Sequence, residues 1–256
     1  MARARIISLI RGFLVTIFIA LVFTSPAFAG SFDLHPAGFG PNSYAAWKAG
    51  EGLPDNTGNA NHALYFQKFT TTLTNAAGVA VFKGFAGLPS SDLLGLKSWV
   101  GNDGHCGARA PRFNVLLQLT VGKEYFFAGC QTGSGMAPTL APPMTAPNGR
   151  VFQQREVICY YPQFGVPPDT PPCIPLPPGT IVSIAIVFDE GIDTGPNAGF
   201  VFLDNIEVDS ASTGTHIWTG PADNADPSAS TTTFDTAVIE DLLGAPLNAF
   251  SFTAPF

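Results

Sequence analysis

The 256-residue chain carries 27 Gly and 23 Pro against 12 Lys/Arg and 19 Asp/Glu, with a formal net charge of −7. Each interior Gly costs a helix about 1 kcal/mol and each Pro about 3, so a helical bundle or coiled coil is excluded. With 46% hydrophobic residues, 22 Phe among them, the chain can fill a core and is not intrinsically disordered. The expected class is all-β, a two-sheet antiparallel β-sandwich of jelly-roll type.

Residues 1–29 read as a secretory signal peptide. Arg3, Arg5 and Arg11 make the basic start, Phe13 to Phe23 the apolar stretch and Ala27-Phe28-Ala29 the small-residue cleavage site. An apolar run of 11 residues is too short for a membrane span. The mature chain is therefore expected outside the cytosol, secreted and free of the membrane. Losing three arginines leaves nine basic against 19 acidic residues, a formal charge of −10. Such a surface repels nucleic acid and anionic lipid.

The four cysteines, Cys106, Cys130, Cys159 and Cys173, all lie in the exported part. An even count there favours two disulfides. Nearest-neighbour pairing, Cys106 with Cys130 and Cys159 with Cys173, closes one loop between adjacent strands in each case. The spacing lacks any CxxC and does not suit zinc.

Period-2 patterning predicts strands at Ala63 to Phe69, Val79 to Phe85, Leu94 to Val100, Arg112 to Leu119 and Tyr125 to Cys130. Two runs that are more continuously apolar, Ile181 to Phe188 and Phe200 to Val208, suit central strands covered on both faces. The proline-rich stretches Met136 to Gly149 and Pro162 to Pro178 cannot enter a sheet interior and are expected as surface loops. The sandwich domain is placed at 30–210. Residues 211–256 read as a polar tail with one short helix, Asp235 to Leu243, carrying Val238, Ile239 and Leu242 on one side.

No HExxH, GxSxG, P-loop or GxGxxG motif occurs. Asp189 and Glu190 are adjacent, so on a strand they point to opposite faces, and they read as part of a solvated turn. The most distinctive segment, Asp103 to Val115, sets His105 and Cys106 between glycines. It offers His105, Arg109 and Arg112 as the polar lining of a ligand site, Arg being a planar donor for hydroxyl or carboxylate groups. Among aromatic residues, Trp47, Tyr160 and Tyr161 are the stacking candidates, and Trp99 is expected in the core. Asp55-Asn56-Thr57-Gly58-Asn59-Ala60-Asn61 supplies oxygen ligands of the kind calcium takes.

The strand Gly199-Phe200-Val201-Phe202-Leu203-Asp204-Asn205-Ile206-Glu207-Val208 resembles the closing strand of secreted carbohydrate-binding-module-like (galactose-binding-like) β-jelly-rolls. The segment Asn59 to Phe66 is similar to an early strand of the same modules. The resemblance covers residues 32–210 and implies a jelly-roll fold, carbohydrate as ligand and a structural calcium that would draw on Asp204; Asp55 and Asn59 are candidate calcium ligands from the oxygen-rich turn alone. The expected function is non-catalytic binding of carbohydrate or of an extracellular surface. A structural surface protein and a hydrolase built on His105 or His62 are the alternatives.

Overall fold

The structure is a computed structural model and describes residues 32–55, 58–107, 109–163, 173–193 and 199–223. The expected signal peptide, the helix at 235–243 and residues 164–172 of the second proline-rich loop lie outside the described residues.

The fold is all-β. β1 (Leu34–Phe39), β2 (Ser43–Lys48), β3 (Ala63–Lys68) and β4 (Ala77–Phe82) are followed by β5 (Leu93–Gly101), β6 (Arg112–Leu119) and β7 (Gly122–Thr132). Then come the short β8 (Gly135–Pro138) and β9 (Met144–Thr145), β10 (Val151–Val157), β11 (Tyr161–Pro162), β12 (Thr180–Phe188), β13 (Phe200–Ser210) and β14 (Gly214–Trp218). They form one sheet in the order β1-β4-β12-β6-β7-β8-β10-β5-β13-β3-β2, with β11 on β7, β14 on β13 and β9 on β10. The described pairs are antiparallel except β7 with β8.

The two ends of this path, β1 and β2, are consecutive and joined by a tight turn in which Gly40 and Asn42 take φ of +71° and +53°. Gly38 of β1 lies so close to β2 that a Cβ would come within 2.4 Å of the Ser43 carbonyl oxygen. The sheet is therefore nearly closed and barrel-like, which leaves few open edges.

Alternation assigns the inner face. Leu64 and Phe66 of β3, Phe113, Val115 and Leu117 of β6, and Ile184, Ile186 and Phe188 of β12 belong to one buried cluster. Each such side chain contributes about 2–3 kcal/mol on leaving water. In β13, Val201 and Leu203 point inward at odd positions, whereas Ile206 and Val208 do so at even ones. A bulge between Asp204 and Glu207 shifts the register, and Asn205 takes the left-handed φ of +40° that the bulge needs and that Asn tolerates.

Two stretches differ from the sequence expectation. β14 pairs with β13 from Ser210 to Trp218, so the sheet extends past residue 210, where composition predicts a tail. Trp218 is buried beside Phe82, ring centroids 5.3 Å apart, and anchors this extension. In the first proline-rich loop, the four-residue β8 lies inside the sheet between β7 and β10, with Pro138 at its end opposite Arg155, and the two-residue β9 pairs with β10.

Candidate functional site

One end of the barrel gathers the charged residues of the Asp103–Val115 segment. Arg112 leads β6 and is almost fully buried; its Nη1 and Nη2 donate to Asp189 Oδ1 (2.6 Å) and Oδ2 (2.8 Å), its Nε to Asn114 Oδ1 (3.0 Å). His105 Nε2 pairs with Glu190 Oε2, and the ring meets Phe188 edge-on. Gly107 leaves room for this pair, because a Cβ there would fall 2.5 Å from both partner atoms. Burial lowers the Arg109 guanidinium from its ordinary value, while Glu190 and Asp189 pull it back up. Lys68 has the inward parity of Leu64 and Phe66, and its Nζ donates to the carbonyls of Thr72 (2.8 Å), Thr74 (2.9 Å) and Asp189 (2.5 Å).

These contacts correct the sequence reading of this segment. The structure brings His105, Arg109 and Arg112 together, and Arg112 commits four of its five N–H donors to Asp189, Asn114 and the Arg109 carbonyl, which makes it chiefly a cross-strand tie. Asp189 and Glu190 do lie in the β12–β13 turn, yet they are paired with Arg112 and His105 rather than solvated. Among the described residues neither His105 nor His62 is hydrogen-bonded to a Ser or Thr hydroxyl, so no nucleophile–base pair is assembled at either ring.

The stacking candidates also change place. Trp47 lies opposite Leu64 on β2, its side chain packed against the inner core and its indole Nε1 buried. Tyr160 is 8% exposed and bridges Ile174 across the Cys159–Cys173 disulfide; burial pushes its hydroxyl well above the ordinary value. Tyr161 pairs with Phe127 through its backbone, and its hydroxyl donates to the Gly133 carbonyl (2.8 Å). Tyr160 is thus buried, while Trp47 and Tyr161 stay half-buried. The other disulfide joins Cys106 to Cys130, giving nearest-neighbour pairing throughout.

The oxygens assigned to calcium are already engaged. Asp204 Oδ2 accepts from Leu53 N and Oδ1 from Asn205 N, both at 2.6 Å. Asp55 accepts from the backbone of Asn61 (3.1 Å) and His62 (2.9 Å). Asn59, buried, bonds Thr219 Oγ1 through Nδ2 and accepts from Ala222 N. Among the described residues no group of three or more His, Cys, Asp or Glu is placed to hold a metal ion. These oxygens act as three side-chain clamps on the Leu53–His62 loop and the end of β14.

What the sequence reading did not find is an aromatic layer on the outer face of β2, β3, β13 and β5. Tyr44, Tyr65, Trp99, Phe200 and Phe202 alternate with core residues and so point outward together. Tyr65 sits at the centre, 4.7 Å from Phe202, 5.6 Å from Tyr44 and 6.2 Å from Phe200 between ring centroids. Two cations cover part of the layer: Lys48 Nζ lies 3.4 Å above Tyr65, and Arg150 Cζ lies 3.6 Å above Phe202. Glu51 and Asp103 fix Arg150 at 2.5 Å and 2.9 Å, whereas among the described residues no carboxylate pairs with Lys48. Burial, with Tyr44 adding to it, pushes the Tyr65 hydroxyl up to about 12, so it stays protonated and donates to Gln67 Oε1 (3.2 Å). Tyr44 and Phe200 remain partly exposed beside Gln67.

A signal for this layer exists in Phe200-Val201-Phe202, aromatic at alternate positions. Reading that run as buried on both faces concealed it. No protein-family model matches the chain, and no curated protein or solved structure matches it.

Proposed function

We propose that this is an exported, non-catalytic binding protein that takes carbohydrate on the outer aromatic face of β2, β3 and β13. One observation carries the reading: Tyr44 and Phe200 stay partly exposed on either side of Tyr65, with the amide of Gln67 and the ammonium of Lys48 next to them. Aromatic faces take the C–H side of a sugar ring, while amide and ammonium groups orient its hydroxyls. The jelly-roll resemblance of the Gly199–Val208 strand supports the same ligand class, as the outer residues Phe200 and Phe202 belong to that strand. The two disulfides suit an oxidising compartment, and the basic, apolar and small-residue regions of residues 1–29 support export.

The test is a glycan array probed with the chain lacking residues 1–29, beside its Tyr44→Ala/Phe200→Ala variant. Binding to a defined set of glycans that the double variant loses is expected. A flat response across all glycans by the unaltered chain rejects carbohydrate and leaves an interaction surface without a sugar site.

A further inference from the structure

The outer aromatic row does not stop at Phe200. On β3 the outward series Ala63, Tyr65, Gln67 continues to Phe69, one residue past the end of the strand. The ladder to β2 continues with it, since Phe69 N donates to the Asn42 carbonyl (3.0 Å). Phe69 is 43% exposed, and Ile192, from the turn after β12, is 53% exposed. A Cβ on Gly199 would fall 2.8 Å from Ile192 Cγ2 and 2.9 Å from Phe69 Cδ1, so the two side chains lie side by side over a glycine that makes room for both.

Single exposed hydrophobic residues are ordinary on a protein surface, but this pair is adjacent, borders an aromatic face and is held in place. Ile192 N donates to the Thr70 carbonyl (3.1 Å), and Asp193 accepts from Thr72 N (3.0 Å). From the inner side, the Lys68 ammonium takes the carbonyls of Thr72, Thr74 and Asp189 and so fastens both loops to β3. A platform fixed before binding loses little entropy when a ligand arrives.

The register sets the dimension of the extended face. Tyr44 and Phe200 flank Gln67 on the two neighbouring strands, and Phe69 lies two residues further along β3. From Tyr65, which lies under the Lys48 ammonium, to Phe69 is four residues of extended chain, about 13 Å. That is longer than one pyranose ring. The order along this line is cation, then two rings with an amide between them, then the apolar pair. Sugar C–H faces can therefore be taken at two levels, with groups that orient hydroxyls alongside.

We propose that Phe69 and Ile192 form a second apolar subsite, and that the ligand is an oligosaccharide chain lying along β3 rather than a single terminal sugar. The inference rests on the carbohydrate reading and adds to it the length and direction of the ligand.

Titration of the chain lacking residues 1–29 with β-linked gluco-, galacto-, manno- and xylo-oligosaccharides, each from monosaccharide to hexasaccharide, tests it. In at least one series affinity is expected to rise about tenfold between disaccharide and hexasaccharide, the gain one further stacking contact can give. Phe69→Ala/Ile192→Ala is expected to lose most of that gain while keeping its disaccharide affinity and, because both side chains are exposed, its melting temperature. If no series gains with length, or the variant keeps the whole gain, the proposal is overturned. Binding on the glycan array by the unaltered chain then leaves the carbohydrate reading standing, whereas a flat array removes both.

Discussion

Arg112 on β6 and Asp189 just beyond β12 are locked by two parallel hydrogen bonds of 2.6 and 2.8 Å, with the arginine side chain 5% exposed. The pair ties the start of one strand to the end of its neighbour, and Arg112 Nη1 also holds the Arg109 carbonyl (2.8 Å). Removing one partner leaves the other charge buried and unpaired, so Arg112→Met and Asp189→Asn should each destabilise by about 3 kcal/mol in urea unfolding. The double variant should lose much less than the two single losses added together. Strict additivity would show that the two residues do not act as a pair.

Glycines near this end differ sharply in what they tolerate. At Gly191 a Cβ would lie 1.8 Å from the Thr70 carbonyl oxygen, which is backbone and cannot swing aside. At Gly107 the obstructing atoms are the tips of Glu190 and His105. Gly191→Ala is therefore expected to cost more than about 3 kcal/mol or to abolish folding, while Gly107→Ala should cost about 1 kcal/mol and displace the His105–Glu190 pair. Thermal melts of the two variants decide the order, and equal losses would contradict it.

The Cys159–Cys173 link closes a 14-residue separation whose ends are also stitched by Tyr160 and Ile174, which exchange hydrogen bonds of 2.8 and 2.9 Å. Chain entropy sets the value of such a cross-link at about 3 kcal/mol. Cys159→Ser/Cys173→Ser should lower stability by that amount without altering glycan binding, since the aromatic face lies on other strands. Lost glycan binding in a still-folded variant would move the site to this loop.

At the aromatic face, Lys48 has no carboxylate partner among the described residues, whereas Arg150 is held by Glu51 and Asp103. Lys48→Gln is accordingly expected to leave the melting temperature within about 2 °C and to weaken glycan binding several-fold. Arg150→Gln breaks two ion pairs and should reduce stability as well. Titration calorimetry with an array-positive glycan checks both, and unchanged affinity in Lys48→Gln removes that residue from the site.

The seven strands expected from patterning all occur, because burial on one face writes a period of two wherever inner and outer residues differ in polarity. Arg112–Leu119 matches residue for residue. β1 and β10 escaped notice for opposite reasons: His35-Pro36-Ala37-Gly38 mixes small and turn-forming residues, and Gln153-Gln154-Arg155-Glu156 presents polar side chains on both faces. The fate of the site residues was less legible. Whether Arg112 faces a ligand or Asp189 depends on two strands meeting 77 positions apart, and no local pattern carries that information. Trp47 is hard to place for a related reason: Ser43-Tyr44-Ala45-Ala46-Trp47-Lys48 puts an aromatic and a small residue on each face and so does not mark which one the barrel closes over.

Asp204 provides the sharpest pH prediction. Its carboxyl is fully buried, and burial pushes it up to about 7 against the help of N–H donors from Leu53 and Asn205, with Asp55 and Asp223 adding repulsion. Between about pH 4 and 7 the folded chain holds a proton here that the unfolded chain releases, so this group makes stability fall as pH rises, by up to about 1.4 kcal/mol per pH unit. Asp92 and Asp193 act in a different window. Burial raises each, but hydrogen bonds from Ser212 and Ser210 to Asp92, and from Thr72 to Asp193, more than offset it and leave both below the ordinary value. Their stabilisation is present above the unfolded value and is lost as pH falls through the folded one. Burial also lowers His216, which gives a smaller rise in stability as pH climbs toward 6.5. A stability maximum at mildly acidic pH should result. Asp204→Asn cannot ionise and must turn an amide N–H toward Leu53 N or Asn205 N, so it should be less stable than the unaltered chain at pH 4 and should lack most of the decline toward pH 7. EDTA should change neither profile. Urea unfolding at half-unit pH steps measures this, and an unaltered slope in Asp204→Asn would assign the decline to other groups.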